Sequence, residues 1–127
     1  MPTDSRLGGL YNNMALALVD LKEFNEAFIL YEKAISIMLC NENGKPEAAI
    51  TYLNMANALE AQKGLENACV EIDLCLDKAE CLLESHVKRD GNYAFVCEKC
   101  APTFLYYGRF SYSEELSERS RRIYEGS

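Results

Sequence analysis

Tyr11-Asn12-Asn13-Met14-Ala15-Leu16-Ala17-Leu18 returns 41 positions later as Tyr52-Leu53-Asn54-Met55-Ala56-Asn57-Ala58-Leu59. The register continues beyond the segment, because Lys22 matches Lys63, Ala27 matches Ala68 and Cys40 matches Cys81 without a gap. Ordinary composition would produce about two such identities by chance. Self-similarity at one fixed period is the mark of a stacked helical array, in which each unit buries its apolar face against the next. Arrays of helix pairs usually present surfaces rather than reaction centres, so the echo bears on function class as well as fold.

The spacing of apolar residues supplies the helices. Leu7, Leu10, Tyr11, Met14, Ala15 and Leu18 recur at intervals of three and four, which places them on one helical face. This first helix starts after Asp4 or Ser5, either of which can cap the orphan N–H groups, and runs to about Leu21. After Lys22 and Glu23, a second helix carries Phe24, Ala27, Phe28, Tyr31, Ala34, Ile35 and Met38 at helical spacing. So short a joint requires the two helices to lie antiparallel. Asn41-Glu42-Asn43-Gly44 breaks the pattern, and Pro46 can open a third helix, about 46–62, because its missing N–H costs nothing there. Lys63-Gly64 turns the chain into a fourth helix from Leu65 towards Leu83. Asp90 is the expected cap of a fifth helix reaching about Tyr107, and Gly108 is the next turn. Ser111 and Glu114 have the spacing of a capping box for a last helix to about Tyr124. The sum is six helices in three hairpins, at about 5–40, 46–84 and 90–124, within a chain of single-domain size.

Composition narrows the partners. The net charge of −7 is wrong for a phosphate backbone, whose binding requires a basic face that releases counterions, so nucleic acid is excluded as an expected partner. The one basic cluster, Arg119, Arg121 and Arg122, follows Glu114, Glu115 and Glu118, an order that suits a helix dipole on a solvated face. No apolar run approaches membrane-spanning length and no secretory leader is visible, so neither membrane nor export is expected. Six cysteines within helical patterns read as reduced thiols of a cytoplasmic protein.

The pattern of large and small residues resembles the tetratricopeptide repeat. Tyr11, Met14, Ala15, Leu18, Phe24, Ala27, Tyr31 and Ala34 follow that motif in order, and Tyr52, Met55, Ala56, Leu59, Leu65, Ala68, Ile72 and Cys75 follow it again. The small residues let helix backbones approach while the large ones fill the space beside them. The common family repeat is about 34 residues, so this spacing is longer by about seven. It is similar to the extended repeats of the kinesin light chains. A third unit fits best after a further offset of 45, which puts Cys97, Cys100, Ala101, Phe104, Phe110 and Ser113 on the motif positions. The resemblance implies an all-α, right-handed superhelical stack of three hairpins.

It also implies a concave groove lined by the first helix of each repeat, where asparagines hydrogen-bond the backbone of a bound peptide. Asn13 and Asn54 are equivalent, and Asn57 lies one turn further on. Asn12, Leu16, Val19, Asp20, Leu53, Glu60 and Pro102 are the expected flank. An amide both donates and accepts, so a column of them suits an extended chain. The competing reading is an ordinary solvated face. The clamp that grips chaperone C-termini needs lysine and arginine where the first repeat has Asn12 and Leu16, so that ligand is not expected.

Four further features have a functional and a structural reading. Cys97-Glu98-Lys99-Cys100 has the spacing of a redox or zinc pair, yet zinc would need two more ligands, and either repeat register puts both cysteines at packing positions. Packing is the preferred reading, with no metal or cofactor expected. Pro102, inside the fifth helix, is expected to bend it by crowding the carbonyl of Glu98. His86 reads as a surface loop residue rather than a catalytic base. Ser113, Ser117 and Ser120 replace apolar residues of earlier repeats, giving a face suited to end the stack. The expected function is therefore non-enzymatic binding of a protein or peptide segment. The alternative is a structural module that self-associates through its end repeats, as a homodimer or within a larger assembly.

Overall fold

A computed structural model describes residues 5–126, apart from the side chain of Ser5. Six α-helices and no strand occur among them: α1 Ser5–Asp20, α2 Phe24–Leu39, α3 Lys45–Lys63, α4 Leu65–Ser85, α5 Gly91–Tyr106 and α6 Phe110–Tyr124. The expected caps of α1, Asp4 and the Ser5 side chain, lie outside the described residues. Two compact units divide the chain, the first through Glu84 and the second from Ser85.

In the first unit, α1 packs on α2, α2 on α3, and α1 also meets α3. The contacts run in opposite directions along successive helices. Gly8 lies against Met38 and Ala34, whereas Ala15 clusters with Ala27 and Tyr31. Thr51 donates to the Met38 sulfur at 3.4 Å, whereas Ala58 joins Ala27 and Tyr31. Both pairings are antiparallel, and packing between neighbouring pairs is compatible with a helical repeat. Two apolar clusters form this core, one around Ala15, Ala27, Tyr31 and Ala58, the other around Ala34, Ile35, Met38 and Ala48. Five alanines and a buried glycine at these contacts allow the close approach that larger residues would forbid.

The buried stripe of α1 differs from the expected one. Ala15 and Gly8 are buried, Leu7, Tyr11 and Leu18 are half-buried, and Leu10 and Met14 are exposed. Periodicity defines an apolar arc wider than one neighbour can cover, and here α2 covers only its small-residue edge.

In the second unit, α5 and α6 form an antiparallel hairpin, with Ala101 and Phe104 near Ser113 and Tyr112 at one end and Tyr93 near Arg119 at the other. Its turn repeats the first hairpin's turn bond for bond. Lys22 N–H donates to Val19 and Glu23 N–H to Leu18, at 2.9 and 2.8 Å; Gly108 N–H donates to Leu105 and Arg109 N–H to Phe104, at 3.0 and 2.8 Å. The third hairpin thus follows the 41-residue step and then the 45-residue one. The longer step reflects α4, which at 21 residues exceeds the 16 of α2 by more than one helical turn.

The expected capping box does not form. α6 starts at Phe110, one residue before Ser111, with Arg109 at the cap position and no side-chain cap bond. The tight turn already delivers the backbone into helix, since Ser113 N–H donates to the Arg109 carbonyl at 3.0 Å. Asp90 does cap α5, accepting from Tyr93 N–H at 3.1 Å, and that bond holds its carboxyl below the usual range. α5 continues as helix through Pro102, which is exposed.

Candidate functional site

The face bearing the expected groove residues is built where α1 and α3 lie side by side. Ala15 and Ala58 share one cluster, and on this contact Asn54 Nδ2 donates to Asn12 Oδ1 at 3.0 Å. Asn13, Leu16, Asp20 and Asn57 are exposed along it, while Asn12, Asn54 and Glu60 are half-buried. The bond between Asn12 and Asn54 uses one donor of one amide and one acceptor site of the other, so each retains further hydrogen-bonding capacity. Leu53 is a correction: it is 3% exposed and belongs to the core, because its side of α3 turns inward. Val19 is half-buried against the first cluster, and Pro102 lies in the second unit.

A second concavity escaped the sequence reading. A cleft of about 440 Å³ lies between α2, α3 and α4, with Phe28, Tyr52, Met55, Leu59 and Leu74 among its lining residues. Its rim is polar: Lys63 Nζ pairs with Glu71 Oε1 at 2.7 Å, and Lys78 Nζ stands 5.5 Å from the centre of the Tyr52 ring. The only sequence signal was that Tyr52 and Met55 are large residues on the repeat motif. Which neighbour leaves them part-open depends on helix placement, which spacing does not encode.

The cysteine pair is buried, with Cys97 0% and Cys100 1% exposed. Burial pushes the Cys100 thiol up to about 12, with the neighbouring Cys97 adding to the shift, so the thiolate that a nucleophile or metal ligand requires is suppressed at neutral pH. Cys75 is likewise raised to about 11, chiefly by burial. All six cysteines are free. Among the described residues, no group of three or more His, Cys, Asp or Glu side chains is placed to hold a metal ion.

Three other expectations change. His86 is buried at 7% exposure instead of lying on the surface, because α4 runs on to Ser85 and the imidazole stacks on Tyr93 with centroids 5.8 Å apart. Arg119 is not merely solvated: only 12% of its side chain is exposed, and it donates to the Tyr93 hydroxyl at 2.8 Å while pairing with Glu115 at 3.0 Å. Arg89 stands over the other part of this cluster, 5.2 Å from the Tyr93 ring. Of the three serines, only Ser117 is exposed. Ser113 and Ser120 are buried in the places of Ala27 and Ala34, and Ser113 Oγ donates to the Ala101 carbonyl at 2.8 Å.

No helix of the described residues is long and apolar enough to cross a membrane. Comparisons with protein-family models, with curated proteins and with solved structures found no match for the chain. The resemblance to the tetratricopeptide repeat therefore rests on the residues and their spacing.

Proposed function

We propose that the chain is a non-enzymatic protein-interaction module, a right-handed superhelical stack of three tetratricopeptide-like hairpins that binds an extended or helical peptide segment on the face of its first helices. The observation that carries this reading is the lateral contact of α1 and α3 through Asn12 and Asn54, which aligns Asn13, Leu16 and Asn57 along one exposed face. Amides there can pair with a peptide backbone, and Leu16 offers it an apolar contact. Asp20 and Glu60, on a chain of net charge −7, favour a neutral or basic segment and disfavour nucleic acid or an anionic membrane. Free thiols throughout fit a reducing cytoplasm.

The test is affinity selection of displayed random peptides on the 1–127 chain, followed by titration of recovered peptides against the Asn13→Ala/Asn54→Ala variant. Loss of two amide contacts should weaken binding by about tenfold or more, at unchanged helical content by circular dichroism. Undiminished affinity for every recovered peptide would overturn the groove assignment. The alternative, a structural module that self-associates, draws on a different observation, the exposed apolar face of α1.

A further inference from the structure

The internal repeat supplies a covered reference for each position of α1. Leu10, Met14 and Ala17 correspond, 41 residues on, to Thr51, Met55 and Ala58. In the second repeat these three meet α2: Thr51 donates to Met38 and is 0% exposed, Ala58 packs on Tyr31 at 1%, and Met55 touches both core clusters. In the first repeat the same face is open, with Leu10 53%, Met14 45% and Leu21 70% exposed. It is also more apolar than its covered counterpart. Leu10 stands where the buried Thr51 does, while Met14 and Ala17 keep the same residues as Met55 and Ala58. A face more apolar than the interface it copies, yet exposed, marks an interaction surface.

We propose that a second copy of this chain covers it, α1 against α1 about a two-fold axis near Asn13 and Met14. Charge selects this occupant. Arg6 and Asp20 are the only charged residues of α1, one at each end, and both oppose the helix's own dipole. In an antiparallel pair Arg6 of each copy faces Asp20 of the other, Leu10 faces Ala17, and the two Met14 side chains meet at the centre. Such a contact is self-complementary, as a two-fold interface requires. Head-to-tail growth is disfavoured. The residues with which α2 meets α3, Phe28, Tyr31, Ile35 and Met38, become Glu114, Ser117, Arg121 and Tyr124 on α6, a largely polar and exposed face. Because the axis lies near Asn13 and the ion pairs use Asp20, the second copy competes with a peptide for that part of the groove.

Light scattering on the full chain, at about 100 μM, where a dimer of micromolar Kd is nearly complete, tests it. The expected mass is twice that of the chain. Met14→Glu and, separately, Leu10→Glu should give monomers with unchanged circular dichroism, since both side chains are exposed in the single copy. Arg6→Glu and Asp20→Arg should each weaken the dimer at least tenfold, and the double variant should regain most of the loss, because it exchanges both partners of each ion pair. A monomeric wild-type chain, open-ended higher oligomers, a dimer indifferent to Met14→Glu, or a double variant no better than the singles would each overturn the proposal.

Discussion

A methyl group added at Gly44 would stand 1.7 Å from the Met38 carbonyl oxygen and 2.6 Å from its carbon. Both are backbone atoms held by the end of α2, where Asn41 N–H already bonds the same carbonyl at 3.1 Å. Neither can rotate aside, so Gly44→Ala must move the chain that joins the first two hairpins. We expect a loss of about 3 kcal/mol, at the upper end for overpacking a well-filled site, read as a fall in the urea midpoint. Gly9 is the control. Nothing lies within 4 Å of a methyl placed there, in the body of α1, so Gly9→Ala should raise stability by up to about 1 kcal/mol through helix propensity alone. Equal effects at the two glycines would contradict the packing described at Gly44. The role of Gly44 could be suspected from the break Asn41–Gly44, but the close approach behind it could not.

Among the elements, the turns show what one residue type costs. Lys22 is the only non-glycine among the described residues with positive φ, at 62°, and it occupies the position that Gly108 holds at 87° in the third hairpin. A side chain in the left-handed region costs roughly 1–2 kcal/mol. Lys22→Gly should therefore stabilise the first unit by about 1 kcal/mol, and Gly108→Ala should destabilise the second by a similar amount, both measurable by urea unfolding. Opposite signs at equivalent positions are the outcome that matters; two changes of the same sign would deny that the turns are equivalent. The six helices were legible because apolar spacing and the 41-residue echo agree, and agreement across levels is what specifies an element. The start of α6 was not, because Ser111 and Glu114 match a capping pattern that the Gly108–Arg109 turn makes unnecessary. The bridging role of Arg119 was hidden for a related reason: its contact with Tyr93 spans 26 residues, and local charge order shows only the nearby carboxylates.

At the scale of the whole molecule, the sequence displayed which residues are apolar but not which face meets a neighbour. Leu10 and Met14 share the spacing of Ala15, yet only Ala15 has α2 against it. Cys97 and Cys100 were placed correctly among packing positions because the repeat register supplied a reference for them. His86 had no counterpart to compare with, and its burial depends on the stack with Tyr93. The buried thiols also lead to a pH dependence. Cys75 in the first unit and Cys100 in the second have pKa values raised by burial from 9.0 to about 11 and about 12. The folded state therefore holds these protons more tightly than the unfolded chain does. Their contribution is complete below pH 9, where both states are protonated, and is lost as pH rises from 9 towards 11 for Cys75 and 12 for Cys100. Each thiol should add a slope of about 1.4 kcal/mol per pH unit within its window. Tyr31, raised to about 12 by burial and by Asp20, acts in the same sense from pH 10 upward. Urea midpoints measured from pH 7 to 11 should thus be unaffected by these groups up to about pH 9 and pulled down beyond it. Cys100→Ala should lower stability at pH 7 through the lost packing, yet lessen the alkaline decline of the second unit. An alkaline slope unchanged in Cys100→Ala would show that this thiol is not desolvated in the folded protein.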